Sequence, residues 1–256
     1  DVRHAAVPGA CEACPRPSLG GDFAATTRAS RTRAKLVPAL ALLATLILLV
    51  SGLVTGYPGA AVAADASRFD PGYIVSDENF FDGSAMSGDE VQAFLNLQNR
   101  CGAASNCLAA YIQAGPSMPA DRPCAAIAGQ QVESAASMIA RVGAACKMSQ
   151  KALLVLLQKE QGLVNSRNPS KNELAHATGF ACPDTSPCDP AFAGIFYQLY
   201  YAARSFQAYK GNPTVFNWYK VNAWNTIRWS TDVNCGTSQV FIRNYATLGL
   251  YFYTPY

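Results

Sequence analysis

One acidic residue lies where its surroundings would change its chemistry. Glu160 follows an apolar run in the stretch KALLVLLQKEQGLV, residues 151–164. Helical steps back from Glu160 reach Leu157, Leu156 and Leu153, so the spacing predicts a carboxyl group at the end of an apolar stripe. Poor solvation and the negative end of the helix macrodipole both favour a protonated carboxyl group. A glycosidase uses such a group to protonate its leaving oxygen, although on spacing alone a Glu near a helix end is more often a solvated surface residue.

The helix that must position Glu160 is marked at both ends. Ser149 is a good N-cap, and Gly162 is the residue expected just past a helix C-terminus. The six apolar residues 152–157 run without a break, which is typical of a helix surrounded by other elements. We therefore predict a buried central helix.

Composition divides the chain into three parts. Residues 1–30 show no periodicity, and we interpret them as a disordered leader or as sequence translated upstream of the true start. Residues 31–66 pass from a basic cluster through an apolar stretch to small residues, which is the layout of a secretory signal peptide. A single-pass membrane anchor is the alternative, because the apolar stretch is about long enough to span a bilayer. Residues 67–256 suffice for one compact domain.

Charge and motif content argue against several function classes. From residue 67 onward, 14 Lys and Arg are balanced by 13 Asp and Glu. With no basic stripe and no reader motif, we expect no nucleic-acid partner. Neither a G-x-S-x-G nor an H-E-x-x-H motif is present, so a serine nucleophile and a zinc protease site are not predicted.

Seven cysteines follow residue 67, and behind an export signal they are typical of disulfides formed in an oxidising compartment. The sequence does not fix their connectivity. Pairing of near neighbours leaves Cys235 outside three local bridges. His176 with two of the cysteines is a weak metal pattern, and we predict no metal site and no cofactor. The local pairs are Cys101 with Cys107, Cys124 with Cys146, and Cys182 with Cys188.

Helical periodicity covers much of the remaining domain. Ser87 and Glu90 form a capping box, and Asp189 with Pro190 marks the start of a long helix. A short strand is expected at 73–75. Asn, Gly, Pro and Ser predict an extended loop or small β-hairpin over 165–188, and 214–231 is aromatic-rich and irregular. The other predicted helices cover residues 89–98, 108–113, 131–146, 189–210 and 238–253.

The order of these elements resembles the lysozyme-like superfamily, in which lytic transglycosylases and goose-type lysozymes are nearest in layout. In that superfamily the central helix ends in the catalytic Glu, here in the context Glu160-Gln161-Gly162. Four segments are also similar to a family of secreted actinobacterial proteins, many of them uncharacterised or labelled haemagglutinin. These segments are FDPGYIVSDENFFDGSAMS (69–87), LLVLLQKEQGLV (153–164), ATGFACPDTSPCD (177–189) and ATLGLYFYTPY (246–256).

The resemblance implies an α+β, mainly α lysozyme-like fold and gives several residues a role. Glu160 would be the general acid. Asp184, in the loop after the helix, is the best candidate for a second carboxylate, and a plain turn residue is the competing interpretation. Without a second acid, transglycosylase chemistry is favoured over hydrolysis. The residues expected to contact the sugar are Gln161, Thr178, Gly179, Trp218 and Tyr219.

We therefore predict a secreted or cell-wall-associated monomer that cleaves the glycan strands of peptidoglycan. Its only membrane contact would be through the N-terminal signal or anchor. The alternative is a non-catalytic carbohydrate-binding protein, haemagglutinin-like, on the same fold. A third interpretation is a membrane-anchored extracytoplasmic protein.

Overall fold

The computed structural model describes residues 65–99, 101–102, 105–183 and 186–256. Phe69–Tyr256 belong to one compact unit, and the short 3-10 turn Ala66–Arg68 belongs to another. The first unit is helix-rich with two small antiparallel sheets, which confirms a broadly α+β class. Its described helices are α1 Asp77–Phe80, α2 Gly88–Gln98, α3 Ala135–Cys146, α4 Gln150–Gln161, α5 Lys171–Ala175, α6 Ile195–Gly211 and α7 Tyr245–Tyr253. The strands are β1 Ile112–Gly115, β2 Gln130–Ser134, β3 Ala223–Arg228 and β4 Thr237–Ile242.

The predicted leader and the predicted signal or anchor, apart from residues 65 and 66, lie outside the described residues. Within the part of the chain that the structure describes, no helix is long and apolar enough to cross a membrane.

The core is built around α3 and α6. Helix α3 packs against α2, α4, α6 and the sheet β1–β2, and α6 packs in turn against α3, α5 and α7. Met138, Ile139 and Val142 of α3 are completely buried, at the i, i+1 and i+4 positions of one helical stripe. Full burial of one such side chain stabilises the fold by roughly 1.5–3 kcal/mol, so this stripe anchors α3, against which α4 packs.

Helix α4 begins and ends close to the predicted positions. Ser149 precedes it, and Gly162 ends it in the left-handed conformation with φ +65°. Leu153 and Leu157 are fully buried, but Val155 in the middle of the helix is 66% exposed. The prediction of a helix enclosed on all sides is therefore wrong for one face, because a surface groove runs along it.

The predicted strand at 73–75 is instead irregular backbone whose hydrogen bonds go to α7. The Ile74 amide donates to Thr247 Oγ1 at 2.9 Å, and Asn244 Nδ2 donates to the Val75 carbonyl at 2.7 Å. The carboxylate of Asp77 accepts from the Ala246 amide at the start of α7. This segment therefore fixes the N-terminal end of α7.

The small β-hairpin lies elsewhere than predicted. It is formed by β3 and β4 after α6, whereas the loop at 165–188 contains α5, which begins with a capping box at Ser170. Val240 and Ile242 of β4 point inward while Phe241 points outward. This alternation is the two-residue period of a strand, so the predicted helix at 238–253 begins only at Tyr245.

Three further predicted helices are corrected, and the one at 189–210 begins only at Ile195, after a separate 3-10 turn Pro190–Phe192. The stretch expected to form a helix at 108–113 forms a turn and the start of β1, and the one expected at 131–146 opens with β2, so α3 begins only after its N-cap Ser134. Both strands pair with each other, and this long-range pairing outweighs the local helical propensity.

The three local disulfides are confirmed, and Cys235 is disulfide-bonded as well, which corrects the local scheme. Such disulfides are typical of proteins that fold in an oxidising compartment outside the cytosol.

Candidate functional site

Glu160 lies in the last turn of α4, and its side chain is 22% exposed. One carboxylate oxygen, Oε1, accepts from Lys159 Nζ at 2.7 Å. Lys159 Nζ also lies 3.4 Å from Thr254 Oγ1, just past the end of α7. The carboxylate is therefore reachable from solvent and carries an ion pair, rather than lying in a dry pocket.

The second oxygen of Glu160 faces the backbone of Gly179. A Cβ placed on Gly179 would lie 3.2 Å from Oε2 of Glu160, closer than most side chains tolerate. Gly179 also has φ +70°, and its amide donates to the His176 carbonyl at 2.9 Å. Glycine at this position therefore serves both the turn and the close approach to the carboxylate.

Thr178 holds this loop in place. Its side chain is fully buried, and Oγ1 donates to the carbonyl of Gln198 on α6 at 2.9 Å. The Gln198 amide group bonds the backbone of Phe180 at both its amide and its carbonyl. The hydroxyl of Thr178 thus positions the loop instead of pointing to solvent.

Tyr253, at the end of α7, is the last of the residues that surround Glu160. Its hydroxyl donates to the Thr178 carbonyl at 2.8 Å. Burial raises the pKa of Tyr253 strongly, and the nearby negative charge of Glu160 raises it further. Four segments therefore meet here: the end of α4, the loop at Gly179, α6 through Gln198, and the end of α7.

Of the remaining predicted residues, Gln161, Trp218 and Tyr219 make no described side-chain contact with the residues around Glu160. Gln161 is partly exposed as the last residue of α4. Trp218 and Tyr219 pack against Phe252 of α7, with ring centroids 4.8 and 5.6 Å away. Asp184 lies outside the described residues. The predicted sugar contacts of Trp218, Tyr219 and Gln161 stay predictions.

A groove of about 520 Å³ runs along the open face of α4 and reaches Lys159. Its walls come from α4, from the segment around α1, from Phe206 of α6 and from Leu250 of α7. The residue that bonds the Glu160 carboxylate therefore also lines an apolar groove.

His176, Cys182 and Cys188 come together in the loop next to Gly179, with their ligand atoms within 4.8 Å of one another. Cys182 and Cys188 form a disulfide, so neither offers the thiolate that a metal ion would bind. In the disulfide form this group closes the loop and does not present a metal site.

Three residues of the site were not singled out by the sequence. Gln198 carries the clearest signal, because it lies three residues after Ile195 and four before Ala202 on the buried stripe of α6. A polar residue there must find internal hydrogen bonds. Tyr253 and Lys159 carry no such signal, since their roles depend on how α7 packs against α4.

Comparisons of the chain with protein-family models, with curated proteins and with solved structures found no match.

We expect Gly179→Ala to lower the free energy of unfolding by about 2–3 kcal/mol, because left-handed backbone costs about 1–2 kcal/mol for a residue with a Cβ and this Cβ would also crowd Glu160. Gly162→Ala is the matched control, since Gly162 has φ +65° and open space around its Cβ position. Chemical denaturation compares the two variants. Equal losses would show that Gly179 is needed only for its backbone conformation.

We expect the raised pKa of Tyr253 to appear as a loss of stability in alkali. Above pH of about 10 the unfolded chain loses the phenol proton while the folded chain keeps it, so stability falls as pH rises. The slope from this one group approaches about 1.4 kcal/mol per pH unit. Tyr253→Phe should reduce the slope by about half of that amount near pH 10 and by nearly all of it at pH 11, as measured in denaturant titrations. An unchanged slope would assign the effect to other groups.

Proposed function

We propose that the chain is an extracytoplasmic enzyme of lysozyme or lytic transglycosylase type that cleaves peptidoglycan glycan strands, with Glu160 as the general acid. The proposal includes a lysozyme-like arrangement of the helices around α4. The single observation that carries it is the position of the Glu160 carboxylate, which faces the backbone of Gly179 and pairs with Lys159, a residue that lines a groove.

The chemistry would start with transfer of a proton from Glu160 to the glycosidic oxygen. The sugar then develops oxocarbenium-ion character, which a second carboxylate or the acetamido group of the substrate can stabilise. Asp184 is the candidate for that carboxylate. Attack by water gives a reducing end, whereas attack by the sugar's own C6 hydroxyl gives an anhydro sugar. The products therefore report which mechanism operates.

The ion pair between Lys159 and Glu160 favours a second candidate function. An adjacent ammonium group stabilises a carboxylate in its charged form, whereas a general acid must carry a proton. On this basis the chain would be a secreted carbohydrate-binding protein in which the pair serves structure. The enzyme proposal requires Lys159 to leave Glu160 when substrate binds, and the Lys159 side chain is 55% exposed and therefore free to turn.

The deciding experiment incubates the purified protein with peptidoglycan and identifies soluble products by mass spectrometry. Reducing muropeptides would establish a hydrolase, and anhydro-muropeptides a transglycosylase. If nothing is released but the protein co-sediments with the polymer, the binding function replaces the enzyme proposal.

A further inference from the structure

We propose that the groove along α4 binds the peptide stem that peptidoglycan carries on its muramic acid, and that the stem draws Lys159 away from Glu160. This inference rests on the proposed function and specifies its substrate: glycan that bears an anionic, methyl-rich peptide.

The groove is apolar along most of its length. Phe80 and Phe206 form part of its wall, Ala152 and Leu156 belong to α4, and Val155 stands exposed at its edge. A sugar ring offers mainly hydroxyl groups, which such a surface does not satisfy. Alanine side chains and the lactyl methyl group of a stem would instead exchange water for apolar contact.

The charges of the groove match a peptide of the same kind. Lys151, Val155 and Lys159 follow one another at four-residue spacing, so they share one face of α4. The two lysines lie about 12 Å apart along the helix, the length of three to four extended residues. Asp82 is the one acid among the lining residues, and it lies near Lys151. A stem has a free carboxylate near the sugar, which Lys159 would bind. Further along it carries an ammonium group and a second carboxylate, which Asp82 and Lys151 would bind.

The position of Lys159 links binding to catalysis. Its ammonium group donates to Glu160 Oε1 at 2.7 Å, and Lys159 is also one of the residues that line the groove. A stem carboxylate offers Lys159 another anionic partner, and a bound stem would therefore release Glu160 Oε1 from its ion pair. A glycan without a stem cannot do this, so the groove would select the substituted polymer.

The test measures binding of N-acetylmuramoyl-tetrapeptide by isothermal titration calorimetry, with N-acetylmuramic acid as the ligand without a stem. We expect the tetrapeptide to bind at least tenfold more tightly than the sugar alone. Val155→Asp should remove this gain, because it places a negative charge in the apolar wall. Val132→Asp is the matched control, since Val132 is 71% exposed and lies on β2 away from the groove. Lys151→Glu, on the exposed face of α4, should weaken binding at least threefold.

Equal binding of both ligands, or binding that is unchanged in Val155→Asp and Lys151→Glu, would overturn the inference. So would tight, Val155-dependent binding of dodecanoate in the absence of tetrapeptide binding, because the groove would then be a site for fatty acids. Binding is measured in Glu160→Gln as well, in which no turnover is expected. If that variant still degrades peptidoglycan, the proposed function fails, whereas the stem affinity is decided separately by the calorimetry.

Discussion

Glu160→Gln should lower the rate of peptidoglycan cleavage by about 10²–10⁴-fold, since this is the usual contribution of a positioned general acid. The amide keeps the size and shape of the carboxyl group but has no proton to give to the glycosidic oxygen. A loss of this size corresponds to about 2.7–5.5 kcal/mol on the activation barrier. Release of muropeptides, followed over time by mass spectrometry, measures it.

The fold should survive this substitution. The Glu160 side chain is partly exposed, and its partner Lys159 is 55% exposed, so the lost ion pair costs at most about 1 kcal/mol. Glu78→Gln provides the control, because Glu78 is an exposed acid on α1. A Glu160→Gln protein that melts normally and releases products at the wild-type rate would remove Glu160 from the mechanism.

Co-sedimentation of the wild-type protein and Glu160→Gln with peptidoglycan separates the two functions. A carbohydrate-binding protein should sediment with the intact polymer equally well with either side chain at position 160. An enzyme should degrade the polymer as the wild type and should sediment with undegraded polymer only as Glu160→Gln.

Local signals in the sequence predicted the ends of helices better than the strands. The capping box at Ser87 and the glycine at 162 define their helix ends through contacts within a few residues, and both are confirmed. Strand β4 depends on pairing with β3, for example Phe241 with Trp224, and these residues are distant in sequence. A period of two residues next to a helical period is therefore easily read as one helix.

In the candidate site, too, local features could be predicted from the sequence and long-range contacts could not. The end of α4, and with it the position of Glu160, follows from the apolar run and Gly162. What surrounds the carboxylate depends on tertiary packing: Tyr253 arrives from a helix that begins 85 residues after Glu160, and Gln198 from α6. The open face at Val155 likewise depends on where the segment around α1 lies, which no periodicity in α4 reveals.

Arg141→Met should lower the free energy of unfolding by about 3–5 kcal/mol, because it leaves a buried charge without its partner. Glu133 on β2 has a fully buried side chain, and its Oε1 accepts from Arg141 Nη1 at 2.6 Å and from Ser137 Oγ at 2.9 Å. Its other oxygen has no hydrogen-bond partner within the described part of the chain and lies against Gly115. Chemical denaturation at neutral pH measures the loss.

Two comparisons distinguish the stability cost of an unpaired buried charge from the cost of removing an arginine side chain. Arg243→Met removes the same side chain from an ion pair with Asp70 whose partners are 49% and 44% exposed, so it should cost at most about 1 kcal/mol. Replacing Glu133 and Arg141 together by Met should leave the protein more stable than Arg141→Met alone, by about 2 kcal/mol, since no buried charge then lacks a partner. If the double variant is the less stable one, the cost comes from lost packing of the long Arg141 side chain and from the Ala128 carbonyl that it bonds, and not from the isolated carboxylate.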